Sequence, residues 1–430
     1  MQDATPSSPA SADIVASQPV LSSRLSGSHG PNDISSAHDI AERMDAPTLR
    51  TAVELRDWLI EVAVGLPDFG EVLAGFAQRL NAMGLPIDRL STAIDVLHSD
   101  YAGIGRTWSR DGGLRISYFP HTDTVNEAYL RSPFSHVHRT REWLFLDLAA
   151  TPEAAFGVVP ELKADGYRHY LCVPLFFSNG SENGVTFATR SAGGFSAHDV
   201  DVLRFVMGTF AIVMELRAVS RRLNDVLRIY VGAEPQREIL GGAIRRGQVM
   251  RIRSAILFAD MRNYTGLSSP LSPEQTVALL NTLFDCLVPP IEAQGGEVLK
   301  YMGDGVLAIF RDRGDDTGSA AFAALTAARE ALARIATLGT VANIDAPLAV
   351  GIALHHGEAA YGNVGSGQRL DFTVIGRDVN IASRIAGLNK VLGEPLLMSQ
   401  TFADHLWAPA VKLGDFALDG IPERVTLFRP

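Results

Sequence analysis

The sequence predicts an α+β fold divided into more than one unit, on three observations. Its 430 residues exceed twice the usual domain length of about 100–150. Apolar residues make up 47% and charged residues 20%, material enough for more than one core. The hydrophobic periodicity switches repeatedly between helical spacing and short apolar runs, and no internal repeat is visible.

Residues 1–48 are rich in Ser, Ala, Pro and Asp with almost no large apolar side chain, which predicts a disordered tail. A unit over 50–210 follows. Val53, Leu55, Trp58, Leu59, Val62 and Val64 fall mostly three and four apart, and Val72, Leu73, Phe76 and Leu80 repeat the pattern before Gly84, giving two helices. Strands are expected at 90–97, 114–119, 169–177 and 184–189, the last after the turn-forming Asn179-Gly180-Ser181. Ser196 and Asp199 make a capping-box-like start to a closing helix. Along it Ile212, Leu216, Val219, Leu223, Val226 and Tyr230 alternate steps of four and three, a heptad seam suited to a parallel coiled-coil dimer within a linker over 211–248.

The last unit, 249–430, mixes strands and helices again. A strand is expected at 254–258, and a helix from Pro273 to about Val288 that Pro289-Pro290 kinks or ends. Residues 297–310 form two apolar runs joined by Gly303-Asp304-Gly305, a hairpin signature. Then come an Ala-rich helix over 315–338 with Glu330 and Arg334 at i,i+4, a strand at 348–354, and a helix at 379–388. The Gly-rich run 361–367 reads as a turn.

Composition excludes several functions. With 38 basic against 48 acidic residues the net charge is −10, which argues against a nucleic-acid-binding surface. Two cysteines, Cys172 and Cys286, cannot build a disulfide framework or a cysteine zinc site. The longest apolar stretch, 205–214, falls short of the ~20 residues a bilayer requires, so no membrane span is expected. The N-terminus lacks the pattern of a signal peptide, and the chain reads as cytoplasmic.

Two aspartates follow apolar strands: Asp260 in AILFADMRNYT and Asp304 in LKYMGDGVLAIF. A carboxylate there is costly unless a cation offsets it, and two that converge repel unless hard divalent ions lie between them. Taken singly, each also reads as a helix cap or a hairpin-turn residue. Asn380 and Arg384 stand i,i+4 on one helix and point the same way.

Together FADMRNYT, EVLKYMGDGVLAIF and DFTVIGRDVNIASR resemble, in order and separation, three motifs of the class III nucleotidyl cyclases. The resemblance covers about 250–430 and implies a ferredoxin-like βαββαβ core. It implies that Asp260 and Asp304, with the Met261 carbonyl as a further ligand, hold two Mg²⁺ or Mn²⁺ ions per site. By the same resemblance Lys300 and Thr373 read the purine, Asn380 positions the ribose, and Arg384 stabilises charge on the α-phosphate. A lysine donor suits the bare N1 of adenine, and a threonine hydroxyl accepts from its amino group, so ATP is the expected substrate. Thr373 stands where many relatives have aspartate. The C-terminal ALDGIPERV offers no phosphate-binding lysine; Arg424 is the candidate replacement. The resemblance also implies a homodimer, with metal aspartates from one copy and base-reading residues from the other. The alternatives are a guanylate or dual-specificity cyclase, and a catalytically silent sensory scaffold.

Other residues carry less. His355-His356 would face opposite sides of a strand, and His136 and His138 would share one face of an extended segment without further ligands. The strand from Tyr170 to Leu175 and GGFSAHDVDVLRFV resemble a GAF-type sensor domain, which implies an unidentified small-molecule ligand.

Overall fold

Helices begin earlier than the composition predicts. Ser36 caps α1 (Ala37–Glu42) through a reciprocal box with Asp39, and Asp45 caps α2 (Ala46–Glu61), which carries Pro47 in its first turn. The only large apolar side chains of this stretch, Ile40 and Met44, are both buried in the core, so 36–48 is not the tail expected. The computed structural model describes residues 36–430 apart from 97–100, 122–126, 243–244, 313, 315–316, 339–346, 367–368 and 408; the rest of the expected tail lies outside the described residues. The chain divides into two units, Met1–Asp225 and Val226–Pro430.

In the first unit α3 (Phe69–Ala82) precedes β1 (Arg89–Asp95), β2 (Tyr101–Ser109) and β3 (Gly113–Pro120). There follow α4 (Glu127–Leu130), α5 (Pro133–Thr140), β4 (Leu144–Asp147), α6 (Val159–Ala164), β5 (His169–Phe176), β6 (Glu182–Thr189) and α7 (Ala197–Val231). The antiparallel sheet has the order β3-β2-β1-β6-β5-β4. One face packs Leu90, Trp108 and Phe187 against α2, α3 and α7, where Phe76 stacks on Phe210 at 4.5 Å. The other face buries Tyr170 and Cys172 with Val137 and Leu162. The segment holding His136 and His138 is helix α5, not extended, because Ser132 caps it and Pro133 suits a first helical position.

The Ser196–Asp199 box starts α7 as expected. The helix then continues unbroken to Val231, so position 211, the expected start of a linker, lies in its middle. Val213, Met214 and Ala218 pack into the first unit's core. The heptad stripe points elsewhere: Ile212, Leu216, Val219, Leu223 and Tyr230 are 47–83% exposed.

The second unit contains α8 (Ala233–Leu240), β7 (Val249–Met261), α9 (Tyr264–Ser268), α10 (Pro273–Ala293), β8 (Glu297–Met302), β9 (Gly305–Arg311) and α11 (Thr317–Thr337). After these come β10 (Val350–Ser366), β11 (Arg369–Ile375), α12 (Arg377–Leu392), β12 (Leu396–Ser399), α13 (Gln400–Ala403), β13 (Val411–Leu418) and β14 (Ile421–Arg429). The sheet runs β13-β14-β12-β10-β7-β9-β8, with β11 folded back on β10. Within it β7-α10-β8-β9-α11-β10 is a βαββαβ unit whose four strands lie in the order β10-β7-β9-β8. Helices α10 and α11 cover one face, burying Leu257, Ala259, Leu283 and Ala324, and α12 covers part of the other with Val379, Ala382 and Ile385.

Two expectations fail here for identifiable reasons. Pro289 and Pro290 lie inside α10, which continues to Ala293 because Leu287 and Ile291 are buried in the core and offset the lost backbone bonds. The strand expected at 348–354 extends to Ser366, so most of the Gly-rich run is strand paired with β11 and not a turn. Among the described residues α10 is the one helix long and apolar enough by length and composition to cross a membrane, and its inner face belongs to the core just described.

Candidate active site

β7 is the centre of the second sheet, and its C-terminal end carries Asp260. The register sets Asp260 opposite Gly305 of β9 and Gly351 of β10. A Cβ at Gly305 would lie 3.2 Å from Asp260 Oδ1 and 3.0 Å from the Ala259 carbonyl, so glycine leaves the carboxylate its space. Asp304 occupies the tight turn between β8 and β9 beside Gly303, whose φ is +67°, and its carbonyl accepts the Met261 N–H at 3.3 Å. The two carboxylates therefore meet at an open strand end. Although exposed, the Asp260 carboxyl is pushed up from 3.8 to about 6, first by partial loss of hydration, then by the charge of Asp304 and a hydrogen bond with it. This all-oxygen pair, repelling itself beside a cradle that a Cβ would crowd, fits a hard divalent cation. Among the described residues no third acidic, His or Cys side chain joins them. Met261 is buried.

Lys300 lies on β8 next to a register shift and pairs with Leu307. Directly paired antiparallel residues share a face, so Lys300, Leu307, Phe258 and Asp260 all lie on the sheet face that α12 partly covers. Lys300 Nζ donates to Asp371 Oδ2 at 3.0 Å and to Thr373 Oγ1 at 3.5 Å, both on β11. Lys300 and Thr373, predicted as partners, are thus brought together within one chain. Asp371 was missed. Strand alternation puts residue 371 on the same face as residue 373, and that was the available signal.

Asn380 and Arg384 are exposed on α12, and among the described residues neither side chain has a partner. Their position depends on the start of that helix. Asp378 accepts the Glu358 N–H at 2.7 Å and approaches His355 Nε2 at 3.5 Å. Its carboxyl is held below the usual range, chiefly by the hydrogen bond with His355. Only glycine permits this approach, because a Cβ at Gly357 would meet Asp378 Oδ2 at 2.3 Å. At the other end Asn389 donates to the Ile352 and Glu394 carbonyls, and Arg262 donates to the Asn389 carbonyl.

The histidine pair divides as expected: His355 faces Ser399 at 2.8 Å, while His356 pairs with Asp312 at 3.1 Å and stacks on His405. Arg424 donates to the Asp415 carbonyl across the β13–β14 hairpin, and Arg377 pairs with Glu423.

Residues 251–403, within the second unit, match the family described as the adenylate and guanylate cyclase catalytic domain. The chain is 34% identical to an adenylate cyclase of Anabaena cylindrica over 166 residues, covering 39% of this chain and 33% of that protein. It is 29% identical to adenylate cyclase 1 of Rhizobium meliloti over 195 residues, covering 44% and 29% respectively. The chain thus spans about a third of the length of these curated relatives. A crystal structure of the adenylyl cyclase CyaB from P. aeruginosa aligns over 42% of this chain and 94% of that one, with 25% identity and a TM-score of 0.36.

Proposed function

We propose that this protein is an adenylate cyclase that converts ATP to 3′,5′-cyclic AMP and pyrophosphate at sites shared between two copies. The observation that carries the reading is the self-repelling Asp260–Asp304 pair at an open strand end, on the sheet face that also holds Lys300 with Thr373. In the reaction the ribose 3′-oxygen forms a bond to the α-phosphorus as the bond to the pyrophosphate oxygen breaks. Such chemistry is mostly positioning and charge stabilisation. Two Mg²⁺ or Mn²⁺ ions held by Asp260 and Asp304, with the Met261 carbonyl as a further ligand, would supply charge neutralisation of the triphosphate and a more acidic 3′-hydroxyl. Lys300, steadied by Asp371, presents a donor to adenine N1, and the Thr373 hydroxyl accepts from the amino group. Asn380 holds the ribose, and Arg384 meets the charge that grows on the α-phosphate.

The dimer reading rests on the exposed heptad stripe of α7 and on the unpaired state of Asn380 and Arg384. A two-fold pair of stripes would bury the seam and bring each copy's aspartates to the other's base-reading residues. The six-stranded antiparallel sheet of the first unit supports a GAF-like regulatory role. In the second unit α8 is tied to the hairpin that carries Asp304: Glu234 is buried against Arg311 at 2.6 Å, and its N–H donates to Glu297 Oε1 at 2.5 Å. This contact would pass a displacement of the helix to the site. Asp371 favours testing a second substrate, since a free carboxylate there would suit the N1–H and amino group of guanine. Purified protein with Mn²⁺ and either ATP or GTP decides: the proposal expects cyclic AMP, abolished by Asp260→Ala. Cyclic GMP alone would establish a guanylate cyclase, and no product from either would favour a silent scaffold.

A further inference from the structure

Arg106 presents an unusual problem in the first unit. It sits on β2, paired with Thr92 of β1 and Ile116 of β3, and is only 3% exposed. Its Nε is buried without a hydrogen-bond partner, and no carboxylate among the described residues is ion-paired with it. What it does touch is the Phe69 ring, 4.9 Å from its guanidinium carbon. Arg217 of α7 lies 5.2 Å from the same ring. Arg221, one turn further along α7, is also close enough to act on Arg106, and burial together with these like charges pulls the Arg106 pKa down.

The neighbouring groups offset this cation only in part. Asp68 favours the charged form of Arg106 without forming an ion pair with it, and its carboxylate also caps α3 by accepting the Gly70 N–H at 2.5 Å. Asp68 and then Glu71 act on Arg217, and Arg221 Nε has Asp225 at 3.4 Å. Arg217 spends its Nη1 on the Val64 and Ala63 carbonyls, while its Nε remains buried without a hydrogen-bond partner. Across the β1–β2 ladder from Arg106, the Thr92 hydroxyl is also buried and unpartnered. Cation–π contacts return only part of what burying a guanidinium costs, and a charge in such a place persists when something satisfies it.

We propose that the first unit binds a small oxyanion, a carboxylate or phosphate group, between β2 and α7, with Arg106 as its main ligand and Arg217, Arg221 and Thr92 completing the shell. Guanidinium forks match both groups in two-point geometry, and a threonine hydroxyl adds a donor. The near-complete burial of Arg106 restricts the ligand to a small anion. Because Arg217 and Arg221 belong to the helix that carries the apolar stripe, an anion here ties that helix to the sheet. The site stands independently of the cyclase reading.

The test uses the full chain in sodium phosphate, sodium succinate or sodium chloride at matched ionic strength. At least one of the two oxyanions is expected to raise the first unit's melting temperature by about 2–4 °C over chloride. It should also slow hydrogen exchange in Tyr101–Ser109 and in residues 217–222. Arg106→Met should lose both responses while melting in chloride no lower than the parent, since an unpaired buried charge has been removed. Thr92→Val serves as a milder second variant, with a weakened response and an intact fold. The proposal is overturned if neither anion acts on the parent protein, or if Arg106→Met responds as the parent does.

Discussion

Asp260 and Asp378 sit on neighbouring elements of the same unit, yet their surroundings treat the negative charge in opposite ways. Asp378 is gripped by a backbone N–H and by His355 under a glycine, and its carboxyl is held low. Asp260 has a second carboxylate as its neighbour and is pushed up to about 6. One environment supplies hydrogen-bond donors to the carboxylate and so builds structure. The other withholds them, which is the basis of the proposed cation site. Arg106 in the first unit is the same situation with the sign reversed.

The largest effect that would sharpen this contrast is catalytic. Asp260→Ala or Arg384→Ala should lower cyclic AMP formation on the order of 10²–10³-fold, measured by steady-state assay, with melting temperature preserved or raised. Changing Leu216 and Leu223 to Lys should convert dimer to monomer in analytical ultracentrifugation and cut activity by a comparable factor. Asp378→Ala should act mainly on stability, costing about 1–3 kcal/mol in urea denaturation because the Glu358 N–H and His355 lose their partner. Gly357→Ala, which drives a methyl into the Asp378 carboxylate, should cost a similar amount of about 1–3 kcal/mol.

The smallest effect is in pH. A carboxyl raised from 3.8 to about 6 binds its proton more tightly in the folded state, so without metal it favours folding at low pH and loses that contribution as pH rises towards 6. Asp378, held low, contributes above the ordinary carboxylate range and loses its share as pH falls through its lowered value. Metal-free Asp260→Asn should therefore gain on the parent protein as pH rises through that window, and Asp378→Asn should not. Asp304→Asn should bring the Asp260 titration, followed by carboxyl NMR, back towards its ordinary range.

Asp260 and Asp304 stood out in the sequence as charges ending apolar strands, yet singly each also read as a cap or turn residue, and only the resemblance of three motifs joined them. The βαββαβ unit was legible through alternating periods, and the heptad stripe through its spacing. Asp371 was not, because a carboxylate on an exposed edge looks like any solvated residue until the fold brings Lys300 to it. Arg106 was hidden for a similar reason: strand β2 fell next to glycines that blur its alternation, so a buried arginine read as nothing. The two prolines in α10 misled because tertiary burial overrode a local rule. Helix α5 misled because eight residues are too few for periodicity to declare itself.

The central claim is that one site draws on two copies of the chain, and mixing inactive variants tests it most directly. Asp260→Ala and Arg384→Ala, each inactive alone, should regain about a quarter of the parent activity when co-refolded in equal amounts, since half of randomly formed two-fold dimers hold one intact site of two. A mixture as inactive as its components, with mixed dimers demonstrably formed, would contradict the account.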